Sequence, residues 1–382
     1  MKFAHLGDCH LGGWRQPELR ALNFQSFQLA LSKCIKEKVN FILIAGDLFD
    51  SAYPSIETLK STFREFRKLK EEGIPVFLIA GSHDYSASGK TFLDVLEKAG
   101  FCKNVAVFEE RGENIILEPT IYGNVAIYGY PGKKSGLEVD EIPRIKLQDS
   151  PGLFKILMLH TAIRDAVKNL PIKAVDEKLL PKSDYLALAH LHINYNKDGR
   201  VYSGPIFPNN LSELEELKGG TFYIVENSRI KREHILTKEV ISFSIDIKNS
   251  LGSTDLIISL LSKENLKDKI VILRPCGIIE QGKISDIDFV KIEKYARDKG
   301  AYSFLKSTSK LHMSEPEIKI DFIDSADYEA QIIKKFQESN TSKFGELIPQ
   351  VIKALQAEKL EDEKLMVFEE RLLEECKRAL PL

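Results

Sequence analysis

The sequence predicts an α/β protein: a four-layer α/β sandwich followed by a small α/β cap and a helical C-terminal tail. Three features of the 382 residues support this. Short apolar runs alternate with helical patterns through the first hundred residues. A long series of short strands follows. The chain then closes in a polar, charged stretch with helical period.

Taken in order, residues 3–7 read as a strand, 19–37 as a helix and 41–45 as an apolar strand. Residues 56–70 read as a helix whose stripe is Ile56, Leu59, Phe63, Phe66 and Leu69. Residues 76–80 are again a strand and 91–98 a helix. Such alternation implies parallel strands with helices over the faces. Beyond Val105, residues 114–117, 122–128, 154–159, 185–189, 201–203, 221–225 and 230–235 read as a second, mostly antiparallel sheet. The polar stretch 249–254 marks a boundary. After it come a helix (255–261), a strand (269–273), a helix (285–297) and a strand (317–322). From 326 to 380 the pattern is helical, interrupted by Gly345 and Pro349. Domains are therefore expected at 1–245, 246–325 and 326–382.

Composition narrows the class. With 43% apolar residues the chain can bury a large core. The 54 basic and 56 acidic side chains nearly cancel, so binding to nucleic acid requires a local patch, not bulk charge. Five scattered cysteines without a CxxC spacing indicate neither a disulfide framework nor a thiolate zinc site, which fits a reducing interior. Asp8 arrives before a signal-peptide apolar stretch could develop, and no apolar run approaches membrane-spanning length. The expected setting is the cytoplasm, without a membrane partner.

Five apolar strands run straight into Asp, Ser or His. Asp8 and His10 follow the first, Asp47 and Asp50 the second, and Ser82, His83 and Asp84 the third. His160 ends the fourth, and His190 and His192 follow the fifth. Ligands gather outside the carboxyl ends of strands in such sheets. Only eight histidines occur in the chain, and five lie in these segments. In extended backbone, residues two apart project to one side, so Asp8 with His10, and His190 with His192, can each reach a common ion while Cys9 points away. A glycine before Asp8, Asp47 and Ser82 permits a sharp turn. Mixed carboxylate and imidazole ligands suit manganese, iron or zinc better than magnesium or calcium. Two such ions about 3.5–4 Å apart would clamp the attacking and leaving oxygens of a displacement at phosphorus. Asp47, on a central strand end, is the candidate bridge.

In this order, GDCHLG, GDLFD, GSHD, a strand-end His and HLH resemble the calcineurin-like metallophosphoesterases. They are most similar to the DNA double-strand-break repair nucleases of the SbcD and meiotic-recombination type, archaeal-like in form. GDLFD lacks the Arg-Gly of protein Ser/Thr phosphatases. The resemblance covers about residues 1–245. It implies a metallophosphoesterase core and two Mn2+ ions, one held by Asp8, His10, Asp47 and His192, the other by Asp47, Ser82, His160 and His190. It implies that His83 acts on the developing charge or the leaving oxygen and that Asp84 orients His83. Ser82 departs from the family's usual Asn and offers a shorter, weaker oxygen donor. The resemblance also implies a homodimer, with Leu59, Phe63, Phe66, Phe92 and Leu96 as candidate contacts. It implies a C-terminal tail docking on an SMC-like ABC ATPase of the SbcC type, and a nucleoid-associated prokaryotic setting.

Asp50 reads as a turn or capping residue, His5 as a satisfied core histidine, and His234 and His312 as surface residues. Trp14 either packs or, with Arg15, stacks on a base. Lys133 and Lys134 either touch a DNA backbone or lie in a solvated loop. The expected activity is a Mn-dependent DNA nuclease, a 3′–5′ exonuclease and single-strand or hairpin endonuclease acting on DNA ends. The alternatives are a weakly catalytic DNA-end scaffold, because of Ser82, and a phosphodiesterase for small molecules.

Overall fold

A computed structural model of the chain describes residues 1–85, 91–134, 136–167, 171–314, 347–357 and 365–379. The first half is built from β1 (Lys2–Leu6), α1 (Pro17–Lys36), β2 (Phe41–Ile44), α2 (Ile56–Glu71), β3 (Val76–Leu78), α3 (Phe92–Lys98) and β4 (Lys103–Asn104). Local chemistry fixes the helix starts. Pro17 opens α1, where a missing N–H costs nothing; the Ser55 hydroxyl accepts from Thr58 N at α2; and Thr91 with Asp94 forms a capping box at α3. The four strands pair in parallel in chain order.

The chain continues through β5 (Phe108–Arg111), β6 (Asn114–Leu117), β7 (Thr120–Tyr122), β8 (Val125–Tyr130), α4 (Glu138–Glu141), β9 (Ile145–Leu147), β10 (Phe154–His160) and α5 (Arg164–Val167). Then come β11 (Tyr185–Ala189), β12 (Tyr195–Lys197), β13 (Arg200–Tyr202), α6 (Leu211–Leu217), β14 (Gly220–Glu226) and β15 (Arg229–Ile235). Two corrections to the sequence reading follow. The second sheet, ordered β12-β13-β11-β10-β8-β7, is not mostly antiparallel: β8, β10, β11 and β13 all run parallel. Strands β14 and β15 belong instead to the first sheet, where β14 lies antiparallel to β1.

The two six-stranded sheets face each other across a core that includes Phe3, Phe41, Phe77, Ile127, Met158 and Tyr185. Helices α1–α3 cover the outer face of the first sheet, burying Phe27, Leu31, Phe66 and Leu96. The outer face of the second carries α4 and the three-stranded sheet β5-β6-β9, so the fourth layer is a small sheet with short helices. Phe66 and Leu96 have no exposed surface, and of the five candidate dimer contacts only Leu59, Phe63 and Phe92 keep any.

The cap comprises β16 (Val240–Asp246), α7 (Ser253–Leu261), β17 (Ile270–Ile279), α8 (Phe289–Asp298), β18 (Ser303–Lys306) and β19 (Lys310–Met313). Strand β17 is long enough for β18 and β19 to pair in parallel with its successive halves, while β16 takes its other edge. Because β16 pairs only here, the boundary expected at 245/246 falls inside a cap strand, and the polar stretch at 249–254 is an internal cap loop. Trp14, Leu19, Leu22 and Leu214 pack against Ile270, Ile272 and Leu305 to join cap and core. Trp14 is buried and donates its Nε1–H to the Pro208 carbonyl, so it packs and does not offer a free stacking face.

The strand expected at 317–322 and the tail positions Ile332, Ile333, Phe336 and Phe344 lie outside the described residues. In the described part of the tail, α9 (Ile348–Leu355) carries Pro349 in its first turn and contacts α10 (Leu365–Ala379). Among the described residues no helix is long and apolar enough to cross a membrane.

Candidate metal centre

Five strand ends converge on one buried cluster. Asp8, His10, Asp47 and His160 are each at most 2% exposed. The ligand atoms of Asp8, His10 and His192 lie within 4.8 Å of one another, as do those of Asp8, Asp47 and His160 and those of His10, Asp50 and His83. Asp47 Oδ2 is the hub: His160 Nε2 is 3.2 Å away, Ser82 Oγ donates to it at 3.3 Å, and His10 Nε2 is 3.8 Å away. His190 and His192 do not share one position. His192 faces His10, while the His190 ring packs edge-on against His160 with centroids 5.1 Å apart.

The backbone here is turned, not extended. Asp8, His10, Asp47 and His190 have φ of 48°, 44°, 50° and 96°, in the left-handed region, which short polar side chains tolerate best. Residues 8 and 10 therefore reach the same place by a tight turn and not by strand alternation. Gly46 has φ 101°, and a Cβ there would lie 2.8 Å from His160 Cγ.

Hydrogen bonds fix which ring nitrogen faces the cluster. His160 Nδ1 is 3.1 Å from the Ala45 carbonyl and His83 Nδ1 is 2.9 Å from the Asp50 carbonyl. A carbonyl can only accept, so both nitrogens carry the proton. His10 Nδ1 donates to Asp50 Oδ1 and His192 Nδ1 to Glu213 Oε1, each at 3.0 Å. The Nε2 atoms of His10 and His192 then face each other at 3.1 Å, and buried His160 Nε2 lacks a well-directed partner. Such a contact needs a proton or a metal cation between the two nitrogens. This donor set fits divalent transition metal ions.

The charge balance agrees. Burial opposes ionisation of Asp47, yet His160 and His10 hold its carboxyl far below the usual range. Burial would lower His160, but Asp47 raises it to about 9. Burial likewise opposes charging of His192, which Glu213 and Asp8 raise to about 9. Burial and the neighbouring His160 depress His190 to about 4. The carboxylates thus call for positive charge among the imidazoles.

Three roles differ from the sequence reading. Asp84 does not orient His83: its buried carboxylate accepts from Leu48 N, Phe49 N and Gly81 N at 3.0–3.2 Å, clamping the turn that carries Asp47. Asp50 is more than a turn residue, because it holds His10 directly and His83 through its carbonyl. Glu213 was missed; the hydrogen bond that its Oε1 accepts from His192 Nδ1 reveals it. His83 is half exposed, its N–H donating to Asp47 Oδ1 at 2.7 Å and its ring edge-on to His10. Beside it opens a cleft of about 400 Å3 lined by Ser82, His83, Tyr53, Tyr85 and Lys134. Lys133 instead pairs with Glu141. His5 is a core histidine between the sheets with Nδ1 3.0 Å from the Tyr185 hydroxyl, but it is not fully satisfied, because its buried Nε2 has no well-directed hydrogen-bond partner among the described residues.

Comparison with known proteins places this geometry. The sequence model of the family described as calcineurin-like phosphoesterase matches residues 1–198. The chain is 27% identical over 320 residues to the DNA double-strand break repair protein Mre11 of Archaeoglobus fulgidus, covering 75% of this chain and 71% of that one. It is 26% identical to the protein of that name from Methanosarcina acetivorans, covering 97% of this chain but only 61% of the relative. The corresponding Methanocaldococcus jannaschii protein is 27% identical, with 93% of this chain and 94% of that one covered.

Proposed function

The chain belongs to the calcineurin-like phosphoesterase family, and from that premise we propose that it is a two-metal phosphodiesterase that cuts DNA at broken ends. The observation that carries this reading is the set of imidazoles whose Nδ1 protons are engaged outward while Nε2 faces Asp8 and Asp47. Asp8, His10, Asp47 and His192 would hold one ion, and Asp47, Ser82, His160 and His190 the other, with manganese the expected metal. When bound, such ions supply Lewis-acid polarisation of a phosphoryl oxygen and a hydroxide source near neutral pH.

The chain's own residues do the rest. Asp50 and Glu213 fix the tautomers of His10 and His192. Asp84 holds the Asp47 turn. His83, with Nδ1 held by the Asp50 carbonyl, lines the cleft, where its other ring nitrogen can stabilise charge or protonate a leaving 3′ oxygen. The cleft is large enough for a nucleotide, and Lys134 lies at its wall for a phosphate. The similarity to proteins named for DNA double-strand break repair supports DNA as the substrate. The proposed activities are 3′–5′ exonuclease and single-strand or hairpin endonuclease cutting. The proposed assembly is a homodimer with an SMC-like ABC ATPase, in a cytoplasmic setting.

The test is degradation of linear duplex and hairpin DNA, with bis-p-nitrophenyl phosphate as a small-substrate control. Manganese should be required and Asp47→Ala should abolish cutting. Full activity in EDTA, or an active Asp47→Ala variant, rejects the reading. A second reading, a DNA-end scaffold of feeble activity, is favoured by Ser82, whose single hydroxyl is bonded to Asp47. Under it, Ser82→Asn raises turnover steeply from a near-zero baseline; the nuclease reading expects substantial activity already in the parent chain.

A further inference from the structure

Helix α6 sits between the cap and the metal cluster and has contacts on both sides. Toward the cluster, Glu213 Oε1 accepts from His192 Nδ1, and Glu213 Oε2 accepts from Asn209 N at 2.8 Å. Toward the cap, Arg274 of β17 donates from Nε to Glu215 Oε2 at 2.6 Å and from Nη2 to Ser212 Oγ at 3.2 Å. Ser242 of β16 donates to Glu215 Oε1 at 2.5 Å. Between these residues Leu214 is fully buried among Trp14, Leu19, Ile270 and Ile272. A helix of two turns gripped in this way moves as one body, so a shift at Glu215 is a shift at Glu213.

We propose that Arg274, with Glu215, is a positioning residue through which the cap sets His192, so that cap placement tunes affinity for the ion held by Asp8, His10 and His192. The coupling rests on the two-metal reading above. Arg274 touches no reacting atom; it acts through Glu215, the helix and Glu213. A second polar link from cap to core supplies an internal control. Arg297 and Ser303 bond Glu18 on α1, a helix that meets the cluster's turn only at the Cys9 carbonyl, through Asn23 Nδ2, and not at a candidate ligand side chain.

The experiment is calorimetric titration of Mn2+ into the full chain, compared among the parent, Arg274→Met and Arg297→Met. Direct loss of a carboxylate behind a metal-bound histidine typically weakens affinity about 10–100-fold. One link further out, Arg274→Met is expected to weaken one of the two binding events by about threefold to tenfold. The other event and the Arg297→Met isotherm should match the parent. The reciprocal swap Arg274→Glu with Glu215→Arg should recover the lost affinity, which keeps the test decisive if the single variant folds poorly. Unchanged isotherms in Arg274→Met overturn the coupling, as does equal weakening by both single variants. A parent chain that takes up no ion removes the metal reading and the coupling together; a parent that takes up two ions with Arg274→Met matching it removes the coupling alone.

Discussion

Replacing Asp84 with Asn separates two accounts of this residue. Its carboxylate accepts three backbone N–H groups, with Oδ2 taking those of Leu48 and Gly81 and Oδ1 that of Phe49. An amide can keep its oxygen on the two-bond side, but its NH2 then faces Phe49 N–H, donor against donor. A hydrogen bond to a charged group contributes roughly 1.5–3 kcal/mol, and an orphaned buried donor costs about 1–3 kcal/mol. Against this stands relief of a buried carboxyl whose pKa burial and the Asp47 charge push up to about 6. The net loss should be about 2 kcal/mol, and because the Asp47 turn loosens, metal affinity should fall at least tenfold. Urea unfolding and Mn2+ titration measure the two effects. If Asp84 instead oriented His83, metal affinity would hold and only the pH–rate profile would move. Parent-like affinity in Asp84→Asn therefore refutes the clamp.

Two further outcomes follow from the same packing. Gly46→Ala adds a Cβ against His160 at φ 101°; left-handed strain of about 1–2 kcal/mol and overpacking of about 1–3 kcal/mol should lower the melting temperature by several degrees, and an unshifted melt would show that His160 has room to move. Burial holds His5 at about 3, below its ordinary 6.5, so its neutral form stabilises the fold fully above pH 6.5 and that contribution is lost as pH falls toward 3. At pH 5 the loss is roughly 2 kcal/mol relative to pH 7; His5→Phe should shrink the pH 7-to-5 drop in urea stability by about that amount, and equal drops in both proteins would rule this out.

The strands and the cluster were legible because each apolar run ends in a polar ligand type, a pattern local to a few residues. Sheet membership was not. Strands β14 and β15 follow the second sheet in the chain yet pair beside β1, since His5 and Tyr223 meet only in three dimensions. Parallel pairing of β8, β10, β11 and β13 was equally hidden, because parallel order depends on crossovers and not on strand composition. The role that the family resemblance implies for Asp84, orienting His83, gives way to the backbone clamp because neighbouring side chains diverge in a tight turn. Asp50 carried a weak signal within GDLFD. Glu213 carried none, being a charged helix residue 21 positions beyond His192. The burial of Phe66 and Leu96 shows how a helical stripe reads the same whether it faces its own sheet or a second subunit.

Inactive alleles of this protein have to be chosen with the main chain in mind. Asp8 and Asp47 occupy a conformation that asparagine accepts readily and alanine resists. An alanine at Asp47 therefore removes a proposed ligand and also unsettles the peptide that presents its neighbours. Asparagine there keeps the backbone conformation while removing the negative charge and one accepting oxygen, so any gap in phenotype between the two alleles measures the architectural share of what a knockout appears to say about chemistry.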